Sequence, residues 1–183
     1  GDISVHLLIY VHRVVGLDSG LYFLIRNEED LADVKQNCHP YFFWEIVHDA
    51  PNMLNLYLLQ KGDVRQEATF ASCQQDIAGD GAFSVAMIAK FKENVETNPF
   101  LYRRLFWETG MIGQVLYLEA EAHSVRGTGI GCFFDDAVHK HLGLNDNTYQ
   151  SLYHFTIGGA LEDTRITTLP SYHHLKKENH DHE

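Results

Sequence analysis

Positive charge is scarce in this sequence of 183 residues: 14 lysines and arginines stand against 25 acidic residues, for a formal net charge of -11. That balance excludes long-range attraction to nucleic acid or to an anionic membrane surface, and a phosphate-bearing ligand would need specific arginines close by. No apolar run approaches the roughly 20 residues that span a bilayer. The opening GDISVHLL also lacks the basic segment and small-residue cleavage site of a secretion signal. These absences lead to the expectation of a soluble cytoplasmic protein that engages neither nucleic acid nor membrane. Cysteine is sparse too. Cys38, Cys73 and Cys132 are odd in number, widely separated and free of CxxC spacing, which points to reduced thiols rather than a disulfide framework or a zinc knuckle. No GK[ST] occurs, so a P-loop is excluded.

What the chain does have is apolar content, 45% of its residues, enough for one core and too little length for two ordinary domains. Residues 1–170 read as one domain and 171–183 as a polar, histidine-rich tail. The twelve histidines invite a metal reading. His139 and His141, spaced i, i+2, point to different sides of a helix, however, and metal on a charged terminal tail is adventitious. No metal site is expected.

VHLLIYVHRVVGLDSGLYFLIRN reads as a hairpin about residues 16–20, with residue 5 already extended. EEDLADVKQN fits a short helix ending before His39-Pro40. YFFWEIV and LNLYLLQ read as two further apolar runs. A helix capped by Asp63 and running to about Asp76 comes next, then a break at Gly79-Asp80-Gly81 and a strand over AFSVAMIAKF. The longest helix is expected from about Pro99 to His123, with Pro99 in its first turn. Leu101, Leu105, Ile112 and Val115 form one stripe, while Phe106, Trp107, Met111, Leu116 and Leu118 add apolar groups on other sides. A helix apolar nearly all round is buried in a core or at a subunit interface. Arg104 and Glu108 are spaced as an i, i+4 pair. DDAVHKHLGL reads as a helix starting at Asp135-Asp136, and SLYHFTIGG as a last strand. Strands and helices without regular βαβ alternation indicate an α+β fold with a mostly antiparallel central sheet flanked by helices.

Between the two last helices lies RGTGIGCFFDD. It is not a dinucleotide fingerprint, because the third glycine comes one residue early and a helix, not a strand, precedes it. Two readings stay open for Gly127, Gly129 and Gly131: a helix-to-strand connection with Gly127 as C-cap, or a bare backbone stretch that lets a flat ligand approach.

The run LFWETGMIGQVLYLEAEAHSVRGTGIGCFFDDAVHKHLGL, followed by YQSLYHFTIGGALEDTR, resembles the flavin-dependent nitroreductase superfamily in its SagB-type, azoline-oxidase branch. The likeness rests on E-x-G-x-x-x-Q-x-x-x-L-x-A in the central helix, the glycine stretch, the DD-containing cap, LGL and the closing glycine pair. VHLLIYVHRVVGLDSGLYFL is similar to the branch's V-x-G-L-x-x-G-L-Y hairpin. The resemblance implies a homodimer through the central helix 99–123, FMN at the dimer interface, and ping-pong hydride transfer through flavin N5 between NAD(P)H and a small-molecule substrate.

Carried over by position, Gly129, Ile130 and Gly131 match the turn beside the flavin ring, Gln114 a polar position facing it, and Arg165 the late basic residue near the FMN phosphate. Gln114 is equally readable as a satisfied polar group on a buried helix, and Arg165 as a surface arginine paired with Glu162 or Asp163. Cys73 and Cys132 read as packed small groups rather than redox thiols. No catalytic acid or base is indicated. The family's R-[RS]-x-R segment and Pro-Ser loop, which precede the hairpin, have no counterpart here, and Glu96-Thr97 stands where azoline oxidases carry Lys-Tyr. These departures lead to the expectation of a C-terminal portion of a longer flavoprotein. The alternative is a non-catalytic, flavin-free dimerisation or docking module.

Overall fold

In a computed structural model that describes residues 3–48, 50–51 and 54–175, the two opening apolar runs pair as β1 (Val5–Val11) and β2 (Gly20–Ile25). They join β3 (Glu45–Ile46), β4 (Asn55–Lys61), β5 (Phe83–Lys90), β6 (Arg126–Ile130) and β7 (Tyr149–Gly158) in one sheet. Its order is β3-β4-β2-β1-β5-β7-β6, and every neighbouring pair is antiparallel. The strands are apolar on both sides because both sides are covered. In β1, Leu8 and Tyr10 enter one core, while Val5 and Leu7 enter the other.

The first core is closed by α1 (Leu31–Asn37), α2 (Arg65–Ala71), α3 (Ile77–Asp80) and α6 (Asp135–Leu142), through Val34, Ala68, Ala78, Val138 and Leu142. The second lies beneath α4 (Lys92–Thr97) and α5 (Leu101–Ala122), which contribute Val95, Leu105, Ile112, Leu116 and Ala120. The α+β fold with an antiparallel sheet is thus the one the sequence pattern indicates.

Several local expectations change. YFFWEIV gives only the two-residue β3, because Trp44 takes a left-handed φ of 51° that ends any extended run. The helix expected from Asp63 to about Asp76 is shorter, ending at Ala71 before left-handed Cys73 and Gln74 (φ 60° and 59°), and the separate α3 takes in Gly79 and Asp80 of the expected break. Asp63 is not its cap; it accepts the Arg65 amide two residues on, from outside α2. Helix α4 had no separate signal. The glycine stretch is not a turn either: α5 ends at His123, left-handed Ser124 reverses the chain, and Arg126 to Ile130 form strand β6. Gly127 is therefore no helix cap. Helix α6 starts where the Asp135-Asp136 pair indicates and stops at left-handed Gly143.

Of the burial expected for the central helix, in a core or at a subunit interface, the chain's own core supplies only part. Of α5 only Leu105, Thr109, Gly113 and Ala120 are buried. Trp107, Met111, Val115 and Leu118 are each more than half exposed, since the sheet covers one side of the helix and nothing among the described residues covers the other. Of the tail, residues 171–175 hold a 3-10 turn at His173–Leu175, and 176–183 lie outside the described residues.

Candidate functional site

Strand β6 occupies the sheet edge beside β7, within reach of the C-terminal half of α5. Its alternate glycines leave room on the α5 side for aromatic rings. A Cβ at Gly127 would lie 2.7 Å from the Phe155 ring, and one at Gly129 would collide with the Tyr153 hydroxyl. Tyr117 completes the cover, its ring 4.7 Å from that of Phe155 in a T-shaped pair, and its hydroxyl accepts the Gly129 amide at 2.7 Å. Burial raises the Tyr153 phenol above its usual range, and neighbouring Tyr117 adds to the shift. Ile130 points the other way, into the first core. Of the stretch, Gly131 alone opens on free space.

Gln114 is exposed on α5, so it is not a polar group enclosed by a buried helix. Arg165 lies beyond β7 with its side chain 87% exposed. It donates from Nε and Nη2 to Asp163, at 2.9 and 2.7 Å, and those hydrogen bonds hold the Asp163 carboxyl below its ordinary range. Arg126, the nearest basic residue to the glycines in sequence, is likewise paired, with Glu121 at 2.9 Å. Among the described residues no hydrogen bond or ion pair joins Gln114 or Arg165 to Gly129–Gly131.

Next to the glycines the chain is clasped from below. Cys132 is joined by a disulfide to Cys73, their Cα atoms 5.7 Å apart, which overturns the expectation of separate reduced thiols. Spacing could not reveal this bond, because its partners are 59 residues apart and meet only when β6 reaches α2. Only Cys38 is a free thiol, and burial pushes it up to about 12. Beneath the same segment, His154 is buried, with Nδ1 3.1 Å from Ser72 Oγ and Nε2 3.0 Å from Ser151 Oγ. Phe133 stacks on its ring at 4.5 Å. Burial lowers the imidazole to about 4, so it is neutral near pH 7. A cavity of about 430 Å³ opens alongside, lined by Phe133, Asp135, Asp136, Ser151, Tyr102 and Phe106, among others.

Glu108 belongs elsewhere. It does not pair with Arg104 but with Arg26 of β2's end, and it also accepts the Ser4 and Val5 amides at 3.1 and 3.3 Å. This anchors the start of β1 to α5. No spacing rule could identify a partner 82 residues away. Arg104 instead lines a second cavity of about 320 Å³ with Leu101, Leu105, Trp107 and Met111.

FMN requires a flat surface for its ring and cations for a phosphate dianion. The α5 side of Gly127 and Gly129 is filled by the chain's own aromatics, and Arg126 and Arg165 are each neutralised by a carboxylate. As arranged, these residues do not by themselves fit the cofactor; only the open face at Gly131 would suit its ring.

The profile of the nitroreductase family matches residues 23–159. No curated protein matches the sequence. Among solved structures, a putative nitroreductase from Anabaena variabilis is 24% identical at a TM-score of 0.63, over 85% of this chain and 27% of that one. A putative nitroreductase from Ralstonia eutropha is 15% identical at 0.56, over 88% and 60%. A chain of the Escherichia coli microcin synthetase McbBCD complex, with truncated pro-MccB17 bound, is 13% identical at 0.60, over 87% and 53%. This chain thus spans between 27% and 60% of the length of these relatives.

Proposed function

The chain belongs to the nitroreductase family, and from that premise we propose that it is a domain of an FMN-dependent oxidoreductase of the SagB-type branch. It exchanges reducing equivalents between a nicotinamide donor and a small-molecule substrate, and it is completed by a second copy packed across α5. The observation that carries this reading is the exposed face of α5. Trp107, Met111, Val115 and Leu118 are 57%, 64%, 56% and 61% exposed on a helix whose other side seals the sheet. A contiguous apolar face of this kind marks an interface.

In this reading the α5 face excludes water from the neighbourhood of β6, and Gly131 offers bare backbone to a flat ring. The cation for the cofactor phosphate is either Arg165, once released from Asp163, or a group supplied from outside the described residues. The family motif in α5, Glu108 through Gln114 to Ala120, supports the branch assignment. No catalytic step is assigned to a side chain of this domain, because the family's flavin carries the redox chemistry.

A specific observation favours a second reading, a flavin-free docking module: both candidate arginines are already paired, and the glycine strand is packed against the domain's own rings. One experiment separates the two. Purified protein with absorbance in the flavin bands and stoichiometric FMN after heat release supports the oxidoreductase. Colourless protein that takes up no added FMN, both as this chain and when extended upstream of Gly1, supports the docking module.

A further inference from the structure

We propose that Cys73 and Cys132 form a reversible thiol–disulfide site, reduced by a small or protein dithiol, whose oxidation state controls the docking of residues 131–134. The segment is held to the body of the domain at few points, and the disulfide is the covalent one. Gln75 donates from Nε2 to the Cys132 carbonyl at 3.1 Å and to the Ser72 carbonyl at 2.9 Å. The Phe134 amide donates to the Ala71 carbonyl at 2.8 Å, and the Phe134 ring meets Phe70 at 5.6 Å. Each of these partners sits within α2 or the turn after it, so the disulfide and the hydrogen bonds fasten the same two pieces of chain together.

Two features make the bond exchangeable rather than inert. Cys132 is exposed and Cys73 half-buried, so an attacking thiolate has access to the Cys132 sulfur. Cys73 and Gln74 are consecutive left-handed residues that are not glycine, a turn of high backbone energy that persists where surrounding structure over-determines it. Opening the disulfide removes one of those determinants. In the exchange, a thiolate of the dithiol attacks Cys132 Sγ, the S–S bond breaks, and Cys73 leaves as a thiolate that takes up a proton. The second thiol of the reductant then displaces Cys132, leaving two protein thiols and an oxidised, cyclic reductant, a transfer of two electrons and two protons.

The consequence is local and useful. Residues 131–134 run from Gly131 to Phe133, which stacks on His154, and on to the Asp135-Asp136 wall of the 430 Å³ cavity. Freed from Cys73, this segment keeps the Gln75 and Phe134 contacts and the Phe133 stack on His154 but no covalent tie to α2, so reduction loosens one wall of that cavity and the chain beside Gly131.

The test uses the full chain equilibrated with oxidised dithiothreitol, then denatured in maleimide. Labelling at Cys38 alone is expected, with Cys73 and Cys132 becoming reactive together after reduced dithiothreitol. Amide exchange at Phe134 is expected to speed up on the order of tenfold on reduction. The Cys73→Ser/Cys132→Ser variant should show the fast rate with or without reductant; if it does not fold, the wild-type comparison stands alone. Labelling of all three cysteines in the oxidised sample would overturn the pairing. Equal Phe134 exchange in the two states would overturn the control of docking.

Discussion

Tyr117, in the last turns of α5, accepts the backbone amide of Gly129 through its hydroxyl at 2.7 Å, so the helix fastens the edge strand of the sheet. The contact exists because Gly129 has no side chain to hold the rings away. Replacing the glycine and replacing the hydroxyl therefore have different consequences. Gly129→Ala should destabilise by about 1–3 kcal/mol through overpacking against Tyr153, whereas Tyr117→Phe should cost only about 0.5–1.5 kcal/mol because water reaches the freed amide. Urea unfolding of the two variants checks the order, and a larger loss for Tyr117→Phe would contradict it.

Glu108 ties Arg26 to the Ser4 and Val5 amides with its side chain 14% exposed. Removing it strands a half-buried guanidinium and two donors. Glu108→Ala is expected to lower stability by roughly 3 kcal/mol, while Arg104→Ala, with no carboxylate partner at Glu108, should leave the melting temperature close to that of the parent. Thermal melts of both variants suffice.

His154 gives the fold a dependence on acid. Its imidazole lies near 4 in the folded chain against about 6.5 when unfolded, so between those values the unfolded state binds the extra proton. The contribution is full above pH 6.5, falls as the pH drops towards 4, and totals on the order of 3 kcal/mol. His154→Gln should flatten that part of the stability profile measured by denaturant midpoints from pH 7 to 4. An unchanged slope would assign the acid sensitivity to other groups.

The exposed face of α5 predicts self-association. A Met111→Glu/Leu118→Glu variant should sediment as a monomer under conditions where the parent is a dimer, with its far-ultraviolet circular dichroism unchanged. Parent protein that is monomeric at all accessible concentrations would remove the support for the proposed assembly.

Legibility in the sequence followed locality. The hairpin of β1 and β2, strands β5 and β7, and the Asp135 start of helix α6 were all readable, because alternation, turn residues and caps act within a few positions. Where backbone conformation turned on one residue, at Trp44, Cys73 or Ser124, no pattern announced it, since a positive φ in a non-glycine residue is imposed by its surroundings. In the candidate site, the glycines were visible but their role was not. Spacing offered a turn open to a ligand, and the packing of Phe155, Tyr153 and Tyr117 made Gly127 and Gly129 part of a strand covered by rings.

By itself, then, the sequence determined the α+β class through apolar periodicity and short-range spacing, while its central motif carried the resemblance to the family whose profile it matches. Only the tertiary structure decided that α5 is half-exposed, that Glu108 answers Arg26, that Arg165 is held by Asp163, and that Cys132 meets Cys73. Apart from the local Arg165 pair, these are contacts between residues remote in sequence, or a face left largely exposed among the described residues. Such relations depend on how the sheet brings its edges and helices together, and no stretch of chain carries that information alone.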